Sequence, residues 1–270
     1  MQRARGHAFL SVAFLRGASR MVDLAQSGSA RIMLPHLPGP RPEAVFLNTS
    51  GGITSGDVLD FAMSVDAGAR LTATTQTAER AYLATSGPGR LSVRANVQSG
   101  GDLCWLPQET ILFQGADLER ETRIDLAADA RCLVVETIVL GRRAMGETVT
   151  GARLLDRRTV TVQGRPFHID AVSLAPERLA RATGVAILGP DIVFASLALY
   201  GPGAEVAAEA LRAMVVPEGV TSAASGWNGR TLLRAKANDL WPLKKHLARV
   251  ITHLTGRPLP RVWQMHGVSP

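Results

Sequence analysis

The feature that most restricts this chain is a repeated period-two alternation of apolar and polar residues over short stretches joined by very few residues. Leu59, Phe61, Met63 and Val65 alternate with Asp60, Ala62, Ser64 and Asp66, which puts four apolar side chains on one face of a strand. Ala67-Gly68 stops that run. Leu91, Val93, Ala95 and Val97 repeat the pattern before Ser99-Gly100-Gly101, and Thr122, Ile124 and Leu126 repeat it against Arg123 and Asp125. The stretch 132–140 is apolar almost throughout and predicts a central strand covered on both faces, with Glu136 as its odd member. Further strands are expected at 6–15, 43–48, 71–77, 110–114, 153–163, 166–173 and 191–200. The links are too short for helical crossovers of about a dozen residues or more, so the sheets are expected to be mostly antiparallel. No fixed period of roughly 20–50 residues emerges, which gives no support to a propeller or a regular solenoid and leaves an irregular stack of sheets.

Helical periodicity rises only late. Val206, Ala207, Leu211 and Met214 mark a short helix over 205–214, closed by Val215-Val216-Pro217. Leu240, Leu243, Leu247, Val250, Ile251 and Leu254 form a buried stripe over 239–255, with Asp239 as cap, Pro242 in the first turn and Gly256 at the end. Lys244, Lys245 and Arg249 are assigned to its wet side. Trp227-Asn228-Gly229-Arg230 predicts a tight hairpin turn. The expected fold is mainly β, one elongated domain over 1–270, strand-rich over 6–200, with about two helices and a hairpin over 204–256 and a tail over 257–270.

With 270 residues, 46% of them hydrophobic, there is material for a large core, which excludes a disordered tail or a disulfide-stapled peptide. Two cysteines, Cys104 and Cys132, point to a reducing compartment. The apolar run after Arg3 and Arg5 is broken by Ser11 and followed by Arg16 and Arg20, so it is not read as a secretion signal, and no membrane-spanning run of about 20 residues exists. A soluble cytoplasmic protein is expected. The formal charge of +7 is terminal: residues 1–20 hold four arginines and no acid, and 227–270 hold eight basic residues and one acid. Such ends suit an acidic partner. The scattered aromatic residues do not interleave with basic ones as a nucleic-acid surface requires, so no nucleic-acid partner is expected.

Three stretches stand out for chemistry. Asn48, Thr49, Ser50, Gly51, Gly52, Gly56 and Asp57 belong to a glycine- and hydroxyl-rich loop between two strands. It lacks the Gly-Lys-Ser/Thr ending and following helix of a phosphate loop, so it is read as a turn that also shapes a partner surface or channel mouth. Pro107, Gln108 and Glu109 follow Cys104-Trp105-Leu106, and Glu136 and Glu147 share with Glu109 two readings, structural carboxylate or lining of a polar passage. The histidines at 7, 36, 168, 246, 253 and 266 have no zinc-motif spacing, and no serine sits in a Gly-x-Ser-x-Gly elbow. No catalytic centre is assigned. The competing readings are a hydrolase with a dispersed triad and a basic-ended nucleic-acid binder.

The run 48–57, the run 105–111 with Gly115-Ala116, and Leu140-Gly141-Arg142 followed by Met145-Gly146-Glu147 closely resemble the urease accessory protein UreD (UreH) family. The segment 125–130, Gly151 and the strand from Asn228 to Arg234 fit it too, in the expected order. The resemblance implies a distorted β-helix-like fold and a non-catalytic scaffold. Such a scaffold contacts UreF and apo-urease directly and the GTPase UreG through UreF, so that nickel enters urease. It further implies an assembly that can be two-fold, no tightly bound cofactor, and nickel only in transit. By the same resemblance Glu109, Glu136, Glu147 and the loop are the positions of a nickel passage. The family's Cys-His element before the loop is replaced here by Phe46-Leu47-Asn48-Thr49-Ser50, and Cys104 and His36 are the substitutes considered. The segment Arg261-Val262-Trp263-Gln264 has the look of a partner-contacting end.

Overall fold

A computed structural model describes residues 3–36, 39–181, 184 and 188–264. The strands run β1 (Arg5–Leu15), β2 (Ala18–Gly28), β3 (Ala30–Met33), β4 (Glu43–Asn48), β5 (Val58–Val65), β6 (Arg70–Thr75), β7 (Glu79–Ala81), β8 (Gly89–Val97) and β9 (Asp102–Leu106). They continue with β10 (Thr110–Leu112), β11 (Asp117–Leu126), β12 (Arg131–Leu140), β13 (Arg153–Val162) and β14 (Arg165–Leu174). Then come α1 (Pro176–Leu179), β15 (Val193–Tyr200), α2 (Ala207–Ala213), β16 (Val220–Trp227), β17 (Arg230–Ala237), α3 (Leu240–Thr255) and α4 (Arg261–Gln264).

They build two stacked sheets. The smaller has the order β14-β13-β11-β8-β5-β1-β2, and the larger has β16-β17-β15-β12-β9-β6-β4-β3, with β10 attached to β12 and β7 to β10. The chain alternates between them: β5 to β6, β8 to β9 and β11 to β12 each cross from the smaller sheet to the larger through four residues, 66–69, 98–101 and 127–130. These corners stack by backbone hydrogen bonds, Gly68 N to Ser99 O at 2.8 Å and Arg131 N to Gly101 O at 2.9 Å among them. The result is a solenoid-like winding.

That winding corrects the expected strand direction. β1, β5, β8, β11 and β13 are mutually parallel neighbours, as are β4, β6, β9 and β12. Antiparallel pairing is confined to the sheet ends, at β1–β2, β13–β14, β3–β4 and the run β12–β15–β17–β16. The rule that a parallel connection is long still holds, because each crossover is itself a strand of the opposite sheet. In sequence, a four-residue corner to the opposite sheet looks the same as a turn between antiparallel neighbours. Strand starts at 58, 89, 117 and 153 advance by 31, 28 and 36 residues, which is why no fixed period is visible.

One apolar core fills the space between the sheets, with Leu10, Phe61, Val93, Ile124 and Val134 in it, and the ring of Phe46 lies 5.0 Å from Phe61 and 5.6 Å from Trp105. A second lies on the outer face of the larger sheet, where Leu243, Leu247, Val250 and Ile251 of α3 cover Leu133, Val135 and Leu197. Asp239 Oδ1 accepts from Trp241 N at 2.7 Å, and Gly256 ends α3 at φ 62°, as the sequence predicts. Trp227 pairs with Arg230 across the β16–β17 turn, where Asn228 and Gly229 take φ 44° and 73°. The two helices expected late in the chain are α2 and α3; α1 and α4 are single turns.

Candidate functional site

The loop after β4 is closed by its own side chains. Asn48 Oδ1 accepts from Ser50 N at 3.1 Å, Asp57 Oδ2 from Thr54 N at 2.9 Å, and Asp57 Oδ1 from Ala4 N at 2.8 Å, while Ser55 Oγ accepts from Thr85 N and Ser86 N. The loop amides of Ile53 and Gly56 donate to carbonyls of Arg80 and Pro88, so they do not form an anion cradle. Thr49 Oγ1 donates to Ser29 O, and Gly51 is open. Gly52 is required by close approach: a Cβ there would lie 2.7 Å from Arg80 O and 2.3 Å from the Tyr82 ring. Gly56 takes φ 72°.

Beneath this loop Asn48 Nδ2 donates to both oxygens of Glu79, at 3.2 and 3.3 Å. Burial raises the Glu79 carboxyl, and the amides of Asn48 and Arg80 and the nearby Arg80 charge offset this only in part, leaving it at about 7. A carboxyl whose folded value exceeds its unfolded one supports stability below the unfolded value and loses that support as pH rises through the folded value. Thermal unfolding between pH 5 and 8 should therefore show a decline in the parent protein that Glu79→Gln removes; equal pH profiles would refute it.

Glu109 lies on the α3 side of the larger sheet. Lys244 Nζ donates to Gln108 Oε1 at 2.6 Å and to Glu109 Oε2 at 3.0 Å, and sits 5.6 Å from the Trp263 ring. Lys244 is buried, which corrects its assignment to the wet side of α3; Lys245 and Arg249 are exposed. An ammonium with two side-chain oxygens to bond can lie inward where a spacing argument sees only a polar position. Pro107 ends β9 at Leu106, whose carbonyl accepts from Trp263 Nε1 at 2.9 Å. Trp263 is 2% exposed, so this indole belongs to the protein's own core rather than to a partner-contacting end. Residues 265–270 of that tail, His266 among them, lie outside the described residues.

Glu147 stands at a surface bend. Its Oε2 accepts from Arg142 N at 3.0 Å and Nε at 2.9 Å, its Oε1 from Gln114 N at 3.0 Å, and Arg142 stacks 4.4 Å from the Phe113 ring centroid. The hydrogen bond from Arg142 holds the Glu147 carboxyl below its ordinary value.

Glu136 occupies a different place, between the sheets. Its Oε1 accepts from Thr122 Oγ1 at 2.8 Å, and its Oε2 lies 3.7 Å from Arg120 Nη2 and 3.9 Å from Arg158 Nη1. Arg120 makes a two-pronged pair with Asp156 and donates to Thr110 Oγ1 at 3.1 Å. Arg158 donates to Asp170 Oδ2 and Ser196 Oγ, both at 2.7 Å, and Arg234 reaches Asp170 Oδ1. Three guanidinium groups thus interleave with three carboxylates across β11, β13 and β14 on one sheet and β12, β15 and β17 on the other. Burial alone would raise the Asp170 carboxyl, but Arg158 and Arg234 outweigh it and hold it at about 2. Arg158 is 1% exposed, and its Nε and Nη1 have no hydrogen-bond partner. They border a void of about 30 Å³, room for a single water.

The three glutamates singled out from sequence are therefore not brought together: Glu109 faces α3, Glu136 faces the other sheet, and Glu147 is at a bend. Sequence reasoning missed Glu79, Arg120, Asp156, Arg158, Asp170 and Arg234. A signal existed, because Arg120 shares its parity with Leu118, Thr122 and Ile124, and Asp156 and Arg158 share theirs with Leu154 and Val160, all inward positions. Cys104 and Cys132 are free, buried and in different cores. Burial raises the Cys104 thiol although Arg41 Nη2 lies 3.0 Å from its sulfur. His36 is solvent-side on the described chain, and no group of three or more His, Cys, Asp or Glu able to hold a metal converges among the described residues. Ser222 Oγ and His246 Nε2 meet at 3.0 Å, but His246 Nδ1 has no hydrogen-bond partner, so no carboxylate orients that ring as in a triad. No helix among the described residues is long and apolar enough to cross a membrane.

Fold and site together define a two-sheet, solenoid-like protein whose motif residues hold loops and sheets in place. The model of the family described as UreD urease accessory protein matches residues 4–264, and the chain belongs to that family. It is 50% identical over 264 residues to the urease accessory protein UreD of Cereibacter sphaeroides, covering 98% of this chain and 96% of the relative. It is 48% identical to that of Paracoccus denitrificans, covering 98% and 94%, and 40% identical to that of Rhizobium leguminosarum bv. trifolii, covering 98% and 96%.

Proposed function

We propose that this chain is a non-catalytic scaffold of urease maturation, which binds apo-urease and UreF directly and UreG through UreF and so permits GTP-dependent nickel insertion. The observation that carries this is the family match across nearly the whole chain, 4–264, with relatives named as urease accessory proteins over almost their full length. The geometry is in keeping with it: the family-like residues Asn48, Asp57, Gln108, Glu109, Arg142 and Glu147 are joined in hydrogen bonds that shape the surface.

Nickel is cargo in this reading. A full set of nitrogen and sulfur ligands would retain the ion under the usual affinity order, whereas single carboxylates let it pass. Glu109, Glu136 and Glu147 remain the residues proposed for such contacts. Glu109 is the cleanest to test, because among the described residues its carboxylate pairs with Lys244 alone and stands apart from the guanidinium layer that holds Glu136.

Co-expression with UreF and apo-urease should give a complex that survives moderate salt, and failure to co-purify would overturn the scaffold reading. Glu109→Gln should leave that complex intact and lower the nickel content of urease at least twofold; unchanged loading removes Glu109 from the route.

A further inference from the structure

The larger sheet outruns the smaller one at β16. β14, the last strand of the smaller sheet, is tied over β15 and β17, where Ser196 Oγ donates to Asp170 and Arg230 to the Phe167 carbonyl. β16 is the outermost strand of the larger sheet, and its neighbours are β17 and, through α2, the opposite face. Residues paired across neighbouring strands share a face, so Ala223, Arg234 and Ser196 point the same way, as do Thr221, Lys236 and Phe194. That is the face on which Asp170 and Arg158 lie.

Beyond the edge of β14 no described residue covers this inward face. It floors a mostly apolar groove of about 740 Å³, walled by Val172 and Leu174 and by the turn carrying Arg178 and Arg181. The volume suits a few anchoring side chains rather than a domain. Arg234 is paired with Asp170 and Lys236 with Asp191, and Glu177 turns toward Arg153 at 3.9 Å. Arg178 and Arg181 have no carboxylate partner among the described residues, so the mouth is positive.

We propose that this groove is the docking site for an apolar segment flanked by acidic residues, contributed by a protein of the urease assembly. The proposal rests on the scaffold reading above. The apolar floor supplies the anchor, and the positive mouth selects and orients the segment. A second copy of this chain would bring the same positive mouth to it, which disfavours self-association through the groove.

Ala223, Arg178 and Arg181 are exposed; Ala223 neighbours Arg234 of the ionic layer, whereas Arg178 and Arg181 lie outside it, so the double arginine variant should fold and separates loss of binding from any disturbance of that layer. The full chain carrying Ala223→Glu, or Arg178→Glu with Arg181→Glu, is compared with the parent and with Leu155→Glu, an exposed position on β13. Binding to purified UreF and to apo-urease is measured, with sedimentation for self-association and dodecanoate as a small-molecule probe. The parent and Leu155→Glu should retain both proteins, while both groove variants lose at least tenfold in affinity for one of them and keep the other. Unchanged binding of both proteins overturns the proposal. So does a loss seen only in self-association or only in dodecanoate binding. If the parent itself retains neither protein, the scaffold reading fails and takes the groove's partner with it.

Discussion

Arg158→Met is expected to destabilise the protein by about 3–5 kcal/mol, because it removes the buried cation shared by Asp170 and Glu136 and leaves them only the half-exposed Arg234 and the more distant Arg120. Arg158 is 1% exposed and donates to Asp170 and Ser196 at 2.7 Å, and Asp170 and Glu136 are themselves only 7% and 6% exposed, so bulk water is a poor substitute partner for either. Asp170 is held at about 2, below the usual unfolded value of about 3.9. A lowered carboxyl contributes stability above the unfolded value and loses it as pH falls through the folded one. Parent stability should thus decline between about pH 4 and pH 2, and Arg158→Met, by letting the Asp170 carboxyl rise toward its unfolded value, should shrink that decline. Urea unfolding at pH 7 and a pH series down to 2 measure both. A loss under about 1 kcal/mol, the size of an exposed pair, would mean that water reaches this layer.

Trp263→Ala is expected to cost about 3–5 kcal/mol, the range for removing a large buried aromatic side chain. The indole is 2% exposed and packs in the core beneath α3. Trp263→Phe separates packing from polarity: it keeps most of the ring and removes the 2.9 Å bond to Leu106 O, a loss of about 1 kcal/mol. The Leu106 carbonyl retains Thr74 Oγ1 as a donor at 2.6 Å. Denaturant midpoints of the two variants give the ranking, and equal losses would place the stabilisation in the hydrogen bond alone. An alanine variant within about 0.5 kcal/mol of the parent would show that α4 does not close the core.

Much of this architecture is legible in the alternation of residues. The strands at 59–65, 91–97 and 132–140 are where apolar periodicity puts them, and the capped helix 240–255 follows from Asp239, the apolar stripe and Gly256. β2 escapes because it has no buried face: Met21, Val22 and Leu24 are all substantially exposed, so nothing alternates. Strand direction escapes because a four-residue corner looks the same whether it folds a hairpin or passes to another sheet. The polar interior escapes for a different reason. A charge count treats Arg234, Lys236 and Lys244 as part of a basic terminus, yet each is paired with an acid inside or beside the fold. Pairing between residues such as Lys244 and Glu109 is set by how sheets and helix stack, which no local pattern encodes. Family likeness found the loop and the 105–111 stretch, but it did not distinguish residues that hold backbone from residues left open.

The stacked four-residue corners give the molecule a spine of fixed length and an opposite margin of longer returns. On the spine, adding one residue at 98–101 would rotate the following strand by one pleat and exchange its inward and outward side chains. At the opposite margin, where 76–88, 107–116 and 141–152 return between the sheets, the turns already differ in length while the strands stay in register. Evolution can therefore lengthen or recompose this body along one margin while the other stays fixed, and new contacts can be acquired there without rewriting the interior.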